Sequence, residues 1–189
     1  AGTPYGSADA QRRTVAILAG GLDPWCAARP EAAGWPALRG WLAAQVEALA
    51  PLWERRRAEG WVREGHGDLH LANIVTLADG PTAFDALEFD PELRWTDVLH
   101  DLAFAVMDLL AQGAPALAWR LLDGYLEHAG GHEGLPALRF YLVCRALVRA
   151  QVAALGDAQA PAAAAYFALA QRLAQGADAR LAITSGLPG

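Results

Sequence analysis

Residues 66–89 read His66-Gly67-Asp68-Leu69-His70-Leu71-Ala72-Asn73-Ile74-Val75-Thr76-Leu77-Ala78-Asp79-Gly80-Pro81-Thr82-Ala83-Phe84-Asp85-Ala86-Leu87-Glu88-Phe89. β-Branched and aromatic residues gather here, and Ala78-Asp79-Gly80-Pro81 is a strong turn signal. The stretch therefore predicts a hairpin with strands over 74–77 and 82–85. Outward from it, both flanks turn helical. Downstream, helical spacing predicts helices over 96–112, 115–128, 135–155 and 161–175, separated by glycine-containing breaks. Upstream, Pro36 suits a helix start, and Leu38, Leu42, Val46, Leu49 and Trp53 follow at helical spacing to a stop at Gly60. Pro51 should kink or divide that helix. Ser7 suits the cap of a shorter helix ending near Gly20-Gly21, and residues 22–34 read as a connecting loop. The fold class is mainly α with one small β-hairpin.

Composition narrows the function classes. Hydrophobic residues make up 54% of the 189 and charged residues 19%, which suits a packed helical protein and excludes a disordered one. No stretch approaches the ~20 apolar residues of a membrane span. The net charge of −6 argues against a nucleic-acid partner, which needs a basic stripe. The run Arg55-Arg56-Arg57 reads as a solvated helix face. Cys26 and Cys144 have no CxxC spacing and read as reduced thiols of a cytoplasmic protein. The chain opens on Ala1, with Met107 as its one methionine, which suggests a piece of a longer protein.

The chemistry concentrates in the opening stretch. A turn centred on Asp79-Gly80 sets Asn73 and Asp85 nearly opposite, with β-carbons about 5 Å apart. An amide oxygen and a carboxylate at that separation can share a hard cation such as Mg²⁺. Asp68, five residues before Asn73, can face the same point. A metal pair beside a separate carboxylate suits phosphoryl transfer, which needs phosphate charge neutralised and an attacking hydroxyl oriented and deprotonated. In this reading Asn73 and Asp85 hold the metal and Asp68 is the base.

The order His66-x-Asp68-x-x-x-x-Asn73, followed after a short hairpin by Asp85, resembles the catalytic loop and metal aspartate of the kinase fold. The wording His66-Gly67-Asp68-Leu69-His70 is similar to the aminoglycoside-phosphotransferase and choline-kinase-like family. The stretches 84–89 and 97–103 resemble a bacterial group in which such a domain precedes a P-loop kinase-like domain. The resemblance covers residues 35–175. It implies a kinase-like C-terminal lobe over 35–178, following an N-terminal helix and loop over 1–34. It also implies ATP as phosphoryl donor and a small-molecule hydroxyl as acceptor. His66 belongs to the catalytic motif, where the resemblance implies that its ring braces the loop. Ser185-Gly186-Leu187-Pro188-Gly189 suits the truncated start of a P-loop over 179–189.

Two departures stand beside these matches. An N-terminal lobe with a glycine-rich loop and a phosphate-pairing lysine is absent, since every basic side chain besides histidine is arginine. The metal motif reads Asp85-Ala86-Leu87-Glu88, with Glu88 placed either at the metal or against an arginine. His70 reads as a packing or surface residue, Asp97 as a first-turn helix carboxylate and Asp101 as a brace for the catalytic loop. Arg145 and Arg149 read as surface salt-bridge residues, and Trp41, Trp53 and Trp119 as core. Two alternatives are a non-catalytic kinase-like lobe that regulates a fused P-loop domain, and a metal-dependent phosphohydrolase using His100-Asp101 with His66, Asp68 and His70.

Overall fold

The computed structural model describes residues 3–157 and 159–176; the P-loop start expected over 179–189 lies outside them. The described residues form seven α-helices, three single-turn 3-10 helices and two small antiparallel sheets. The helices are α1 (Ala8–Ala27), α2 (Trp35–Ala58), α3 (Pro91–Arg94), α4 (Val98–Ala111), α5 (Pro115–Ala129), α6 (Leu135–Gly156) and α7 (Pro161–Gln175). β2 (Ile74–Leu77) and β3 (Gly80–Ala83) form the expected hairpin, while β1 (Val62–Glu64) pairs with β4 (Trp95–Asp97). The protein is mainly α with a small β content, as the sequence periodicity indicates. Among the described residues no helix is long and apolar enough to cross a membrane.

The core is built where α4 and α6 cross. Ala103, Phe104, Val106 and Met107 of α4 and Phe140, Tyr141, Val143 and Leu147 of α6 are all essentially solvent-free. Each fully buried large side chain among them contributes about 1.5–3 kcal/mol of transfer free energy. α7 lies along α6, and Leu18, Leu22 and Trp25 of α1 join Leu38, Leu42 and Trp53 of α2 in the same core. Both cysteines are free and buried. Burial pushes the Cys26 thiol up to about 11 and the Cys144 thiol up to about 12, which favours the protonated thiols.

Several boundaries differ from the sequence expectation, each for a physical reason. Ser7 caps α1 as expected, its Oγ accepting the Ala10 N–H at 3.2 Å. The helix then runs through Gly20-Gly21 and Pro24 to Ala27, so the loop expected over 22–34 is confined to its second half. Burial of Leu18, Leu22, Trp25 and Cys26 on one stripe outweighs the weak propensity of the glycines. α2 is likewise undivided at Pro51, which lies on its exposed side, while Leu52 and Trp53 carry the buried stripe onward. It stops before Gly60, whose φ of +81° suits glycine. α4 starts at Val98, because Trp95–Asp97 pairs with β1 in the register Val62↔Asp97. Trp119 is nearly half exposed and so no core residue, unlike Trp53.

Arg56 and Arg145 overturn their surface readings most plainly, for both are buried. Arg56 is fully enclosed, its Nε and Nη2 donating to the two Asp97 oxygens at 2.6 and 3.0 Å and its Nη1 to Glu133 at 3.1 Å. Burial opposes its charge, but the Asp97 pair outweighs that penalty and raises its pKa. The indole of Trp61 lies 4.8 Å from the guanidinium carbon.

Candidate active site

The hairpin closes one residue earlier than a turn centred on Asp79-Gly80 requires. Leu77 pairs with Gly80 around the two-residue turn Ala78-Asp79, and Ile74 pairs with Ala83. Gly80 supplies the positive φ, +117°, at the closing position rather than inside the turn. The residue facing Asn73 is therefore Phe84, whose N–H donates to the Asn73 carbonyl at 3.0 Å, and Asp85 stands one residue beyond. β3 ends at Ala83, so Asp85 lies on the exposed segment that leaves the hairpin.

That segment is tied back to the loop carrying Asp68. The His66 ring donates from Nε2 to the Phe84 carbonyl at 2.7 Å, while its Nδ1 accepts the Asp68 N–H at 3.3 Å. The Leu87 N–H donates to the His66 carbonyl at 3.0 Å. His66 thus fixes the chain on both sides of Asp85. Asp85 is the one non-glycine among the described residues with a positive φ, +60°. Such a backbone costs an aspartate of order 1 kcal/mol and persists only where its surroundings impose it. Its carboxylate, exposed, makes no hydrogen bond or ion pair among the described residues.

Asp68 sits with its side chain one-third exposed. Asn73 is buried, and its Nδ2 donates to the Asp68 carbonyl at 3.0 Å and to Oδ2 at 3.3 Å. His70 Nε2 lies 3.3 Å from the same Oδ2, and its ring packs edge-on against Phe104. Both neighbours use Oδ2, which leaves Oδ1 of Asp68 without a hydrogen-bond partner among the described residues. The amide donor of Asn73 is spent on Asp68, so its oxygen is the end available to a cation.

Three buried side chains hold the backbone around Asp68. Asp101 of α4 accepts the His66 and Gly67 N–H groups at 2.7 and 2.9 Å, the brace its position suggested. Asp108, two turns along the same helix, accepts the Leu71 N–H at 3.0 Å and the Tyr166 hydroxyl at 2.8 Å. Arg145 of α6 donates to the Gly67 carbonyl at 3.1 Å and the His100 carbonyl at 3.2 Å. Gly67 has φ +81°, and a β-carbon there would meet Leu93 O at 3.1 Å and Leu87 Cδ1 at 3.0 Å, so the loop requires glycine.

Sequence reading missed His70, Asp108 and Arg145 as parts of this site. The available signal for Asp108 was an aspartate seven residues after Asp101 in a helix whose only other polar residue is His100. His100, by contrast, is buried away from the loop: it stacks on Tyr141 at 4.6 Å and its Nδ1 pairs with Thr96 Oγ1 at 2.9 Å. Burial, aided by Arg145, holds its pKa well below the ordinary value. Among the described residues no three His, Cys, Asp or Glu groups converge on a metal position. The donors that fit a hard cation are an amide oxygen and carboxylates, Asn73 with Asp85, and Glu88 three residues on and exposed.

No family model matches the chain. It is 39% identical over 150 residues to the uncharacterized proteins Rv2004c of Mycobacterium tuberculosis and Mb2027c of Mycobacterium bovis. The match takes in 76% of this chain, which spans about 30% of the length of each relative. No solved structure matches it.

Proposed function

We propose that this chain is the C-terminal lobe of an ATP-dependent phosphotransferase of the aminoglycoside-phosphotransferase kind, working in the cytoplasm on a small-molecule hydroxyl. In this reading Asp68 is the base, Asn73 and Asp85 hold Mg²⁺ with Glu88 nearby, and His66 ties the two parts together. Mg²⁺ supplies neutralisation of phosphate charge when bound. Asp68 Oδ1 accepts the proton of the acceptor hydroxyl as that oxygen bonds to the γ-phosphorus. The bond from the γ-phosphorus to the β–γ bridging oxygen breaks and ADP departs. Asn73 and His70 steady Oδ2 meanwhile, leaving one oxygen to face the acceptor. A nucleotide-covering N-terminal lobe and a following P-loop domain are the partners this reading expects in the longer protein.

The observation that carries the reading is Asp85. The single left-handed non-glycine residue among the described ones is the aspartate assigned to the metal, and both its flanks are pinned to the loop bearing Asp68. Transfer of phosphate from ATP by the full-length natural protein tests it, with Asp68→Ala and Asp85→Ala beside the unaltered form. Each substitution should lower Mg²⁺-dependent turnover by about 10²-fold or more. Full activity in either variant removes the assignment. On the 189-residue chain alone, Mn²⁺ should broaden NMR signals of Asn73 and Asp85, and Asp85→Asn should abolish the effect.

A further inference from the structure

A cavity of about 170 Å³ lies behind the catalytic loop, where α1, the α3–β4 turn, α4 and α6 meet. Its walls are mixed: Ile17, Leu93 and Trp95 supply apolar surface, while Gln11, His100 and Arg145 supply polar groups. An ion pair between Arg13 and Glu92 joins α1 to α3 at its edge. Asp68, Asn73 and Asp85 are not among its lining residues.

Gln11 is the anomaly. It is 4% exposed, Oε1 is wholly buried, and its side chain makes no hydrogen bond among the described residues. A buried amide left without partners costs roughly 1–3 kcal/mol, and such groups are normally satisfied by water or a ligand. The other polar walls are already engaged. Arg145 donates to the Gly67 and His100 carbonyls, and His100 pairs with Thr96. The carboxamide of Gln11 therefore carries an acceptor and a donor with nothing opposite, and rotation of its terminal bonds turns both toward the cavity it lines. Charge along the wall is balanced, Arg13 and Arg145 against Asp90 and Glu92, so a neutral ligand suits it better than an ion.

We propose that this cavity binds a small neutral molecule carrying a lactam or primary-amide edge, paired to Gln11 by one N–H···O bond in each direction. The apolar body of the ligand rests on Ile17 and Trp95. The occupant also touches Arg145, which donates to the Gly67 carbonyl from behind the loop, so occupancy and loop position are linked. The assignment stands independently of the phosphotransferase reading.

The probe is 2-pyrrolidinone, added to the ¹⁵N-labelled 189-residue chain, with 1-methyl-2-pyrrolidinone as the analogue lacking the donor. Saturable NMR shifts at the Gln11 side-chain amide and the Trp95 indole are expected with the lactam, at least about tenfold weaker with the N-methyl analogue. Gln11→Leu should weaken lactam binding by a similar factor. Ala10→Met, which fills the cavity and leaves Gln11 in place, should abolish it and serves should Gln11→Leu fail to fold. Equal shifts from both probes, binding unchanged in either variant, or water alone opposite Gln11 in crystals soaked with the lactam overturns the proposal.

Discussion

Asp101 and Asp108 stand seven residues apart on α4, and their carboxylates take backbone N–H groups from opposite ends of the loop that carries Asp68. Two helical turns return both to one face, about 10 Å apart. A largely apolar helix is thereby turned into a ruler for that loop. Asp101→Asn leaves one oxygen for two N–H groups and points an NH₂ at the other. We expect a loss of about 1–3 kcal/mol and faster hydrogen exchange at the His66 and Gly67 amides. Gly65→Ala should act alike without altering charge, because its β-carbon would fall 2.5 Å from Asp101 Oδ2. Unchanged exchange in both variants would remove Asp101 from this role.

The pair Arg56–Asp97 joins α2 to the cap of α4, where Asp97 also accepts the Leu99 N–H at 2.9 Å. Arg56→Met strands a buried carboxylate and should cost about 3–5 kcal/mol in urea unfolding. Adding Asp97→Asn should recover part of that loss, since no uncompensated charge then remains. Strict additivity of the two changes would show the pair to be uncoupled.

Strain at Asp85 separates stability from function. Asp85→Gly relieves the positive φ at an exposed site, so stability should hold level or rise by up to about 1 kcal/mol. Mg²⁺-dependent phosphate transfer should fall as far as in Asp85→Ala. Denaturation and turnover measured on the same variant check the divergence.

His100 sets an acid dependence. The folded protein keeps its ring neutral through burial and the nearby Arg145, while the unfolded chain takes up a proton near the ordinary pKa of about 6.5. Its contribution is full above that value and declines as pH falls below it, by up to about 2 kcal/mol at pH 5. Glu54, held low chiefly by the Ala8 N–H, adds to the decline only further down, below its own ordinary range. His100→Phe, which keeps an aromatic ring against Tyr141, should flatten the stability curve between pH 7 and 5.

Local signals carried the elements that depend on local chemistry. Ser7, Gly60, the turn at 78–81 and the starts of α5 and α7 were legible because caps, glycines and prolines act within a few residues. Pairing of β1 with β4 was not, for three-residue strands more than thirty positions apart leave no periodic trace. Nor could the burial of Arg56 and Arg145 be read, since a guanidinium looks solvated until its partners arrive from another element. At the candidate site the residue types and order were plain. The register was off by one because Gly80 closes the turn instead of centring it.

The two fixings on α4 also govern where the chain tolerates a change of length. An added residue between positions 101 and 108 rotates one carboxylate by about 100° away from its partner, and one between 67 and 71 overfills the span between the grips. The Ala78-Asp79 turn lies outside both and can accept insertions while the site keeps its shape. Among homologous chains, gaps should therefore collect at the tip of the hairpin and be purged from the loop and the helix beneath it.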